Sequence, residues 1–420
     1  MYTLTLDPTL KTGTRIKPMH GVGQPPFLGM DYSMFRYLSE AGIPFSRLHD
    51  VGGPFGGSRY VDIPNLFPDF NADPTDPANY DFTFTDTLIC ALMEHRCEPF
   101  FRLGVTIENY SELRSYRIAP PKDNLQWARI CEGIIAHYTE GWAEGYRFDI
   151  RYWEIWNEPE NQPEPHKNHM WAGTAEEYYR LYADAAIYLK NRFPHLKFGG
   201  YGSCGFYAIQ KEKSARGTNP AASHRHDYFV TFFEGFLAYL QERNAPLDFF
   251  SWHNYDNVEN GQIYAQYVRD RLDEAGFTHT ETTCNEWNYQ YRLRGTAKHA
   301  ALVAAQMVAF ENSPLDSAMF YDARLGVSEF GALFNPMTRQ PTKEYHGFLA
   351  YNRLYELQEK LTLPADLPQG VHAAAAIGEN CLALMLVNHA DTPAELAVEC
   401  PAVLTRCRIT DETHDWEETS

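Results

Sequence analysis

The sequence predicts an α/β fold, a (β/α)8 TIM barrel over residues 19–350, with a small accessory β-rich domain made of residues 1–18 and 362–420. Three observations predict it. From about residue 20, short apolar runs alternate with amphipathic segments of roughly two to five turns, the rhythm of βα units around a parallel sheet. There are eight such runs, the strand count of this barrel. Beyond Leu361 the rhythm gives way to short alternating stretches divided by turn signals such as GEN and HADTP, as in a small β domain.

The runs, in order, are MHGVG (19–23), FSRLHDV (45–51), PFFRLGV (99–105), RYWEIWNE (151–158), LKFGGYG (196–202), LDFFSWHNY (247–255), HTETTCNEW (279–287) and SAMFYDA (317–323). Each is short, rich in aromatic or β-branched residues, and bounded by polar or turn-forming residues, which reads as a strand. Between them lie segments of helical period: YSMFRYLSEAG, FTDTLICALMEHR, LQWARICEGIIAHYTEG, AEEYYRLYADAAIYLKNR, YFVTFFEGFLAYLQERN, IYAQYVRDRLDEAG and HAALVAAQMVAFENS. A last helix, EYHGFLAYNRLYELQEKL, closes the ring. The first 18 residues also alternate, and they are expected to pair with the C-terminal β segment.

Composition narrows the function. A formal net charge of −19 on 420 residues leaves no basic stripe for phosphates, so nucleic acid and anionic membranes are excluded as expected partners, and a neutral oligosaccharide or small glycoside fits better. The start, MYTLTLDPTLKTGTRIKP, carries no apolar signal region, and no run approaches the length of a membrane span. A cytoplasmic location is the expectation. The eight cysteines show no CxxC or metal-ligand spacing and read as reduced, mostly buried thiols. The pairs His166/His169 and His224/His226 lie in polar sequence without the partners zinc needs, so neither metal nor cofactor is expected.

The fourth run carries acids where a buried strand is expected. Side chains alternate along a strand, so Tyr152, Glu154, Trp156 and Glu158 share one face while Trp153 and Ile155 share the other. The bulky odd positions suit the helix layer, which turns the even set toward the barrel axis. Glu154 is read as an internal ion-pair partner for an inward arginine, Arg47 or Arg102. Pro159 ends the strand, placing Glu158 at the C-terminal rim, where barrel active sites are built. Asn157 points away on simple alternation, so a bulge must re-aim it if it serves the site. Glu286 ends the seventh run in the same manner. Two rim carboxylates on strands four and seven face one another across one mouth, the arrangement glycoside hydrolysis needs: one group protonates the departing oxygen, the other acts from the opposite face of the sugar. Like charge and burial would push their pKa values apart.

With NEP on strand four and a glutamate ending strand seven, the sequence resembles the clan A glycoside hydrolases, retaining (β/α)8 enzymes. Within the clan, WEIWNEPEN, RLHD after the second run, WHNY and NEW look most like glycoside hydrolase family 39, typified by β-xylosidases. The resemblance covers roughly residues 15–350. It implies Glu158 as general acid/base, Glu286 as nucleophile and Asn157 as a partner of the sugar 2-hydroxyl. It further implies that Arg47 and His49 hold the nucleophile, and that His253 and Tyr255 contact the sugar or Glu286. Trp156, Trp252 and Trp287 are candidates to stack on a sugar face, although parity sets Trp252 and Trp287 off the inward face. The eighth run, AMFYDARLG, lacks the tryptophan often found there in the clan. The trailing β segment is short for the family's sandwich, which leaves room for a homo-oligomer whose second subunit finishes the pocket.

Three long rim loops, 50–80, 104–124 and 322–345, are expected to wall the mouth, with Phe55, Tyr60 and Phe67 closing a pocket rather than a cleft. A pocket implies release of terminal sugars, here most simply xylose from short xylo-oligosaccharides. An arabinosidase, galactosidase, glucosidase or endo-acting enzyme would share the mechanism. A non-catalytic sugar-binding barrel and a metal-dependent hydrolase are the readings from other classes.

Overall fold

The computed structural model describes residues 2–26, 31–51, 61–107, 118–210, 220–325, 329–364 and 366–419. Strands β1 (Tyr2–Thr5) and β2 (Lys11–Arg15) come first, followed by the eight strands of a closed parallel barrel. These are β3 (Gly21–Gly23), β4 (Phe45–Leu48), β5 (Glu98–Leu103), β6 (Tyr152–Ile155), β7 (Lys197–Ser203), β8 (Phe249–Asn254), β9 (Glu281–Trp287) and β10 (Ser317–Tyr321). They pair in chain order, and β10 closes on β3. Every apolar run therefore holds a barrel strand, and the predicted TIM barrel is the fold.

The helices between the strands are α1 (Arg36–Glu40), the short α2 (Ile63–Leu66), α3 (Thr83–Glu94), α4 (Asn124–Thr139), α5 (Ala175–Arg192), α6 (Pro220–Arg243), α7 (Val258–Glu274), α8 (Ala297–Glu311) and α9 (Lys343–Leu357). Several begin where the sequence supplies a cap. Thr174 and Glu177 form a reciprocal capping box on α5, and the side chains of Asp123, Asn257 and Thr296 accept backbone N–H groups at the starts of α4, α7 and α8. Outward strand residues such as Trp153, Tyr201, Phe250 and Trp252 pack beneath these helices, and each such side chain contributes about 1.5–3 kcal/mol through burial.

Inside the barrel, Phe45, Phe100, Phe249 and Met319 form a separate apolar cluster with Tyr152 against it. These residues sit at the first inward position of their strands, so they plug the N-terminal end. One step further along each strand the interior turns polar: Arg47, Arg102, Glu154, Ser251 and Asn285 are all fully buried. This change from apolar plug to polar layer fixes the end of the barrel at which chemistry can occur.

Outside the barrel, β11 (Glu359–Leu361) links β2 to β12 (Val371–Ile377), which pairs with β13 (Leu382–Asn388) in a four-stranded antiparallel sheet. Strand β1 pairs in parallel with β14 (Leu396–Glu399), and β15 (Cys407–Thr410) pairs with β16 (Asp415–Thr419). Strand β1 thus pairs with the C-terminal segment as expected, whereas β2 pairs with β11, whose residues the sequence reading assigned to the closing helix; that helix, α9, ends at Leu357. No helix among the described residues is long and apolar enough to cross a membrane. All eight cysteines are free thiols, but only Cys97, Cys131, Cys204 and Cys284 are buried, so the expectation of mostly buried thiols holds for the barrel and fails in the C-terminal sheets.

Candidate active site

Arg47 organises the C-terminal end of the barrel. Its guanidinium is buried and donates three ways: Nε to Glu154 at 2.8 Å, Nη1 to Glu286 at 3.0 Å and Nη2 to Asn157 at 2.5 Å. Glu154 is thereby the internal ion-pair partner that its strand position predicts, with Ser251 Oγ and Asn285 Nδ2 each donating to its other oxygen at 2.6 Å. Both oxygens of the buried carboxylate accept, from three donors in all, which offsets the cost of placing it there.

Asn157 and Glu158 reach the mouth because the backbone leaves regular strand geometry. Trp156 has φ +77° and Glu158 φ +45°, left-handed conformations that cost a non-glycine residue of order 1–3 kcal/mol. The break reverses parity, so Asn157 turns inward, as the bulge requirement anticipated. It also corrects the reading of Trp156 as an inward residue. The indole lies among Trp127 and Trp171, and its Nε1 donates to the Met170 carbonyl at 2.8 Å. The Glu158 N–H meets the carbonyls of Tyr201 and Gly202, both at 3.1 Å, which hold the strained turn in place.

The two rim carboxylates have different surroundings. Glu286 receives Arg47 on one oxygen and the Tyr255 hydroxyl, at 2.6 Å, on the other. Glu158 receives His253 Nδ1 at 2.9 Å and Asn161 Nδ2 at 2.7 Å. His253 stands between them, its Nε2 3.7 Å from Glu286. One oxygen of Glu158, one of Glu286 and one ring nitrogen of His253 all lie within 4.8 Å of one another. Burial alone would raise Glu158, but the hydrogen bond and charge of His253 outweigh it and hold the carboxyl at about 2. Burial correspondingly lowers His253, and the charges of Glu286 and Glu158 overcome that and raise it. Both shifts favour the imidazolium–carboxylate form of the pair.

The sequence profile of the family described as "Glycosyl hydrolases family 39" matches residues 62–309, more than half of the chain and both rim carboxylates. The chain belongs to glycosyl hydrolases family 39. A curated β-xylosidase from Geobacillus stearothermophilus is 23% identical over 323 residues, covering 66% of this chain and 56% of that protein, so this chain spans little more than half the relative's length. Among solved structures, a glucosidase from Croceicoccus marinus superposes with TM-score 0.74 at 23% identity, covering 93% of this chain and 79% of that one. A family 39 β-xylosidase from Caulobacter crescentus gives TM-score 0.64 at 16% identity, covering 97% and 85% of the respective chains.

Placed in this family 39 barrel, the other expected site residues divide into those that join the cluster and those that do not. Arg47, Asn157, Tyr255 and Glu286 form one hydrogen-bonded set, and Glu158 with His253 forms a second that meets it where His253 Nε2 stands 3.7 Å from Glu286. His49 stands apart from Glu286, which corrects its reading as a holder of that carboxylate. Its ring accepts from Arg102 Nε at 3.2 Å and faces Asp50 at 3.2 Å, and Arg102 in turn is paired to Asp62 at 2.6 Å. Trp287 and Trp252 are buried between strands and helices, against Phe310 with Phe320 and against Phe206 with Phe310 respectively, and neither faces the mouth. This is the side on which parity had set both indoles, and the irregular pairing of β8 and β9 adds Asn285 to the inward set beside Glu286. Phe67, expected in the wall of the mouth, is fully buried against Phe70 and Tyr80. Phe55 and Tyr60 lie outside the described residues.

Three contributors escaped the sequence reading. Gly202, at φ +62°, sits so close to the cluster that a Cβ there would meet Arg47 Nη2 at 2.9 Å, Asn157 Oδ1 at 3.0 Å and His253 Nε2 at 3.2 Å. Asn161 steadies Glu158, and its position three residues later in NEPEN was a usable signal. Glu160 is fully buried; Ser203 Oγ and the Cys204 N–H donate to one of its oxygens at 2.8 and 2.7 Å. Burial, and then the charge of Glu158, raise it to about 8, so this third carboxyl is neutral at neutral pH. Where the clan often places tryptophan, β10 supplies Tyr321, whose hydroxyl donates to Asp50 at 3.2 Å, and Arg324 pairs with Asp322 at 3.0 Å beside it.

Proposed function

We propose that this protein is a retaining, exo-acting β-glycosidase that needs no metal for catalysis, with terminal xylose on short xylo-oligosaccharides as its substrate. The observation that carries the reading is that one oxygen of Glu158 and one of Glu286 lie within 4.8 Å of each other, which supports the short carboxyl separation of retaining pairs, roughly 5–5.5 Å, over the roughly 6.5–9.5 Å of inverting ones. A gap of that size leaves no room for water between sugar and carboxylate, so Glu286 itself attacks the anomeric carbon.

The residues divide the work by their partners. Glu286, held by Arg47 and Tyr255, keeps its attacking oxygen aimed and its charge balanced. Glu158 gives a proton to the departing oxygen and then takes one from the water that releases the sugar. Its proton source is the His253 pair, since imidazolium and carboxylate exchange one proton across 2.9 Å. A guanidinium can only donate, so the Asn157 oxygen faces Arg47 and its NH2 end is left to donate to the sugar 2-hydroxyl.

The pH profile follows from this pair. Glutamates on both sides raise His253 above the ordinary imidazole value of 6.5, so the pair keeps its proton to higher pH than a free imidazole would. The alkaline limb of kcat/KM should therefore reflect loss of one proton with an apparent pKa above 6.5. A limb falling at pH 4–5, about the range of an isolated carboxyl, would show that the pair is not the proton source.

Hydrolysis of a panel of nitrophenyl α- and β-glycosides, followed by NMR of the first-formed anomer, tests the function. Cleavage of the β-xyloside with β-xylose released first is expected. A first product of inverted configuration, or turnover of α-glycosides alone, would overturn the mechanism. A second sugar has its own support: Asp50, Tyr321 and Arg324 make the wall beside Glu286 polar, which suits the additional hydroxymethyl group of glucose. Preference for the β-glucoside would name the substrate differently and leave the mechanism standing.

A further inference from the structure

A second cluster of ligating groups lies far in sequence from the active site, where the barrel meets the C-terminal sheet. His372 stands on β12, His389 directly follows β13, and Glu259 is in the first turn of α7. The Nε2 atoms of the two histidines are 3.1 Å apart, Glu259 Oε1 is 3.6 Å from His389 Nε2, and one ligand atom from each of the three residues falls within 4.8 Å of the others. We propose that Glu259, His372 and His389 form a binding site for a divalent transition-metal ion, zinc by preference, which clamps the accessory sheet to the barrel.

The geometry of the rings points to a shared ion. Two imidazole nitrogens bound to one tetrahedral zinc at about 2.0–2.1 Å lie about 3.3–3.4 Å apart, with ring centroids about 5.2 Å apart. Here the nitrogens are 3.1 Å apart and the centroids 5.1 Å. Glu259 completes the third position by closing from 3.6 Å on His389 and from within 4.8 Å on His372, and 60% exposure of the glutamate side chain makes that movement cheap. Two imidazoles and a carboxylate suit zinc better than calcium or magnesium, which require oxygen ligands. The fourth position is left to water.

The surroundings favour a clamp over a reactive centre. The His389 N–H is tied to the Gly370 carbonyl at 2.9 Å, which anchors its backbone to the chain just before β12. Lys298 on α8 donates from Nζ to the His389 carbonyl at 2.6 Å and to Asp391 at 2.7 Å, so its charge is already engaged. Besides the apolar packing of Ala374, Ala376, Met385 and Val387 into the core, the polar ties across this corner among the described residues include those of Lys298 and the 3.6 Å approach of Glu259 to His389. The sequence reading weighed only His166/His169 and His224/His226 for metal; the three ligands here come from separate elements, Glu259 more than a hundred residues before the histidines, and form no local motif.

The full chain, freed of metal with a chelator and dialysed, is titrated with zinc chloride by calorimetry and heated with and without saturating zinc. Cobalt(II) serves as a spectroscopic stand-in whose visible absorption reports tetrahedral nitrogen and oxygen ligation. One equivalent is expected to bind and to raise Tm by about 3–6 °C. His372→Ala and His389→Ala should each weaken binding at least about 100-fold and abolish the Tm shift, with turnover of the best nitrophenyl glycoside unchanged. Glu259→Gln, an exposed substitution that leaves the core untouched, should weaken it about 10-fold. Zinc that binds the double histidine variant as tightly as the wild type, or a Tm shift that survives Glu259→Gln and both histidine substitutions, would overturn the proposal.

Discussion

Glu286→Ala is expected to lower kcat by on the order of 10⁴–10⁶, because the variant loses the nucleophile that lets one difficult displacement proceed as two easier ones. Glu158→Ala is expected to cost on the order of 10²–10⁴ with a poor leaving group and far less with nitrophenolate, which departs without protonation. Added azide separates the two roles. In Glu286→Ala the small anion fills the vacated space and attacks the sugar once, giving a glycosyl azide of inverted configuration. In Glu158→Ala it attacks the covalent intermediate in the second step and gives a glycosyl azide of retained configuration. Rescue with the opposite stereochemistry in each variant would exchange the assignments, and near-full activity in either would remove that residue from the mechanism. The asymmetry of the surroundings already argues the expected direction. Arg47 and Tyr255 both donate to Glu286 and stabilise negative charge there, whereas His253 gives Glu158 a partner with which to trade a proton.

The pattern of the eight runs was enough for the barrel because strand burial, turn residues and helix amphipathicity are written locally. The pairing of Glu154 with an inward arginine was legible for a related reason: a carboxylate on an interior strand face needs a cation, and few are available there. Local reading fails where the backbone departs from period two. Trp156 was turned inward by alternation and is outward in the fold, since residues 156 and 158 adopt left-handed conformations that the sequence does not announce. His49 shares a face with Arg47, yet Arg102 and Asp50 claim its ring. Gly202 and Glu160 matter through contacts with residues 40 or more positions away, and distance of that kind leaves no trace in the spacing of a single sequence.

Arg47→Met should be the most destabilising substitution in the site, by about 3–5 kcal/mol in urea or guanidinium unfolding, because it strands Glu154 as a buried charge without its cation. It should also reduce kcat, since Glu286 and Asn157 lose the donor that aims them. The two effects have different origins and can be parted. In Arg47→Met/Glu154→Gln the buried charge is gone, and an amide in place of the carboxylate still accepts from Ser251 and Asn285, so most of the stability should return. Activity should stay as low as in the single variant, because the second substitution gives Glu286 and Asn157 nothing back. Arg47→Lys keeps the charge but has one nitrogen where the guanidinium has three in a rigid fork, so it can serve Glu154 or Glu286 but not Asn157 as well. Its stability should fall less than that of Arg47→Met, and its kcat should fall nearly as far. Recovery of activity along with stability in the double variant would mean that Arg47 acts on catalysis only by keeping the barrel folded. Persistent loss of activity in a protein that is again stable would locate its contribution in the aim of Glu286 and Asn157.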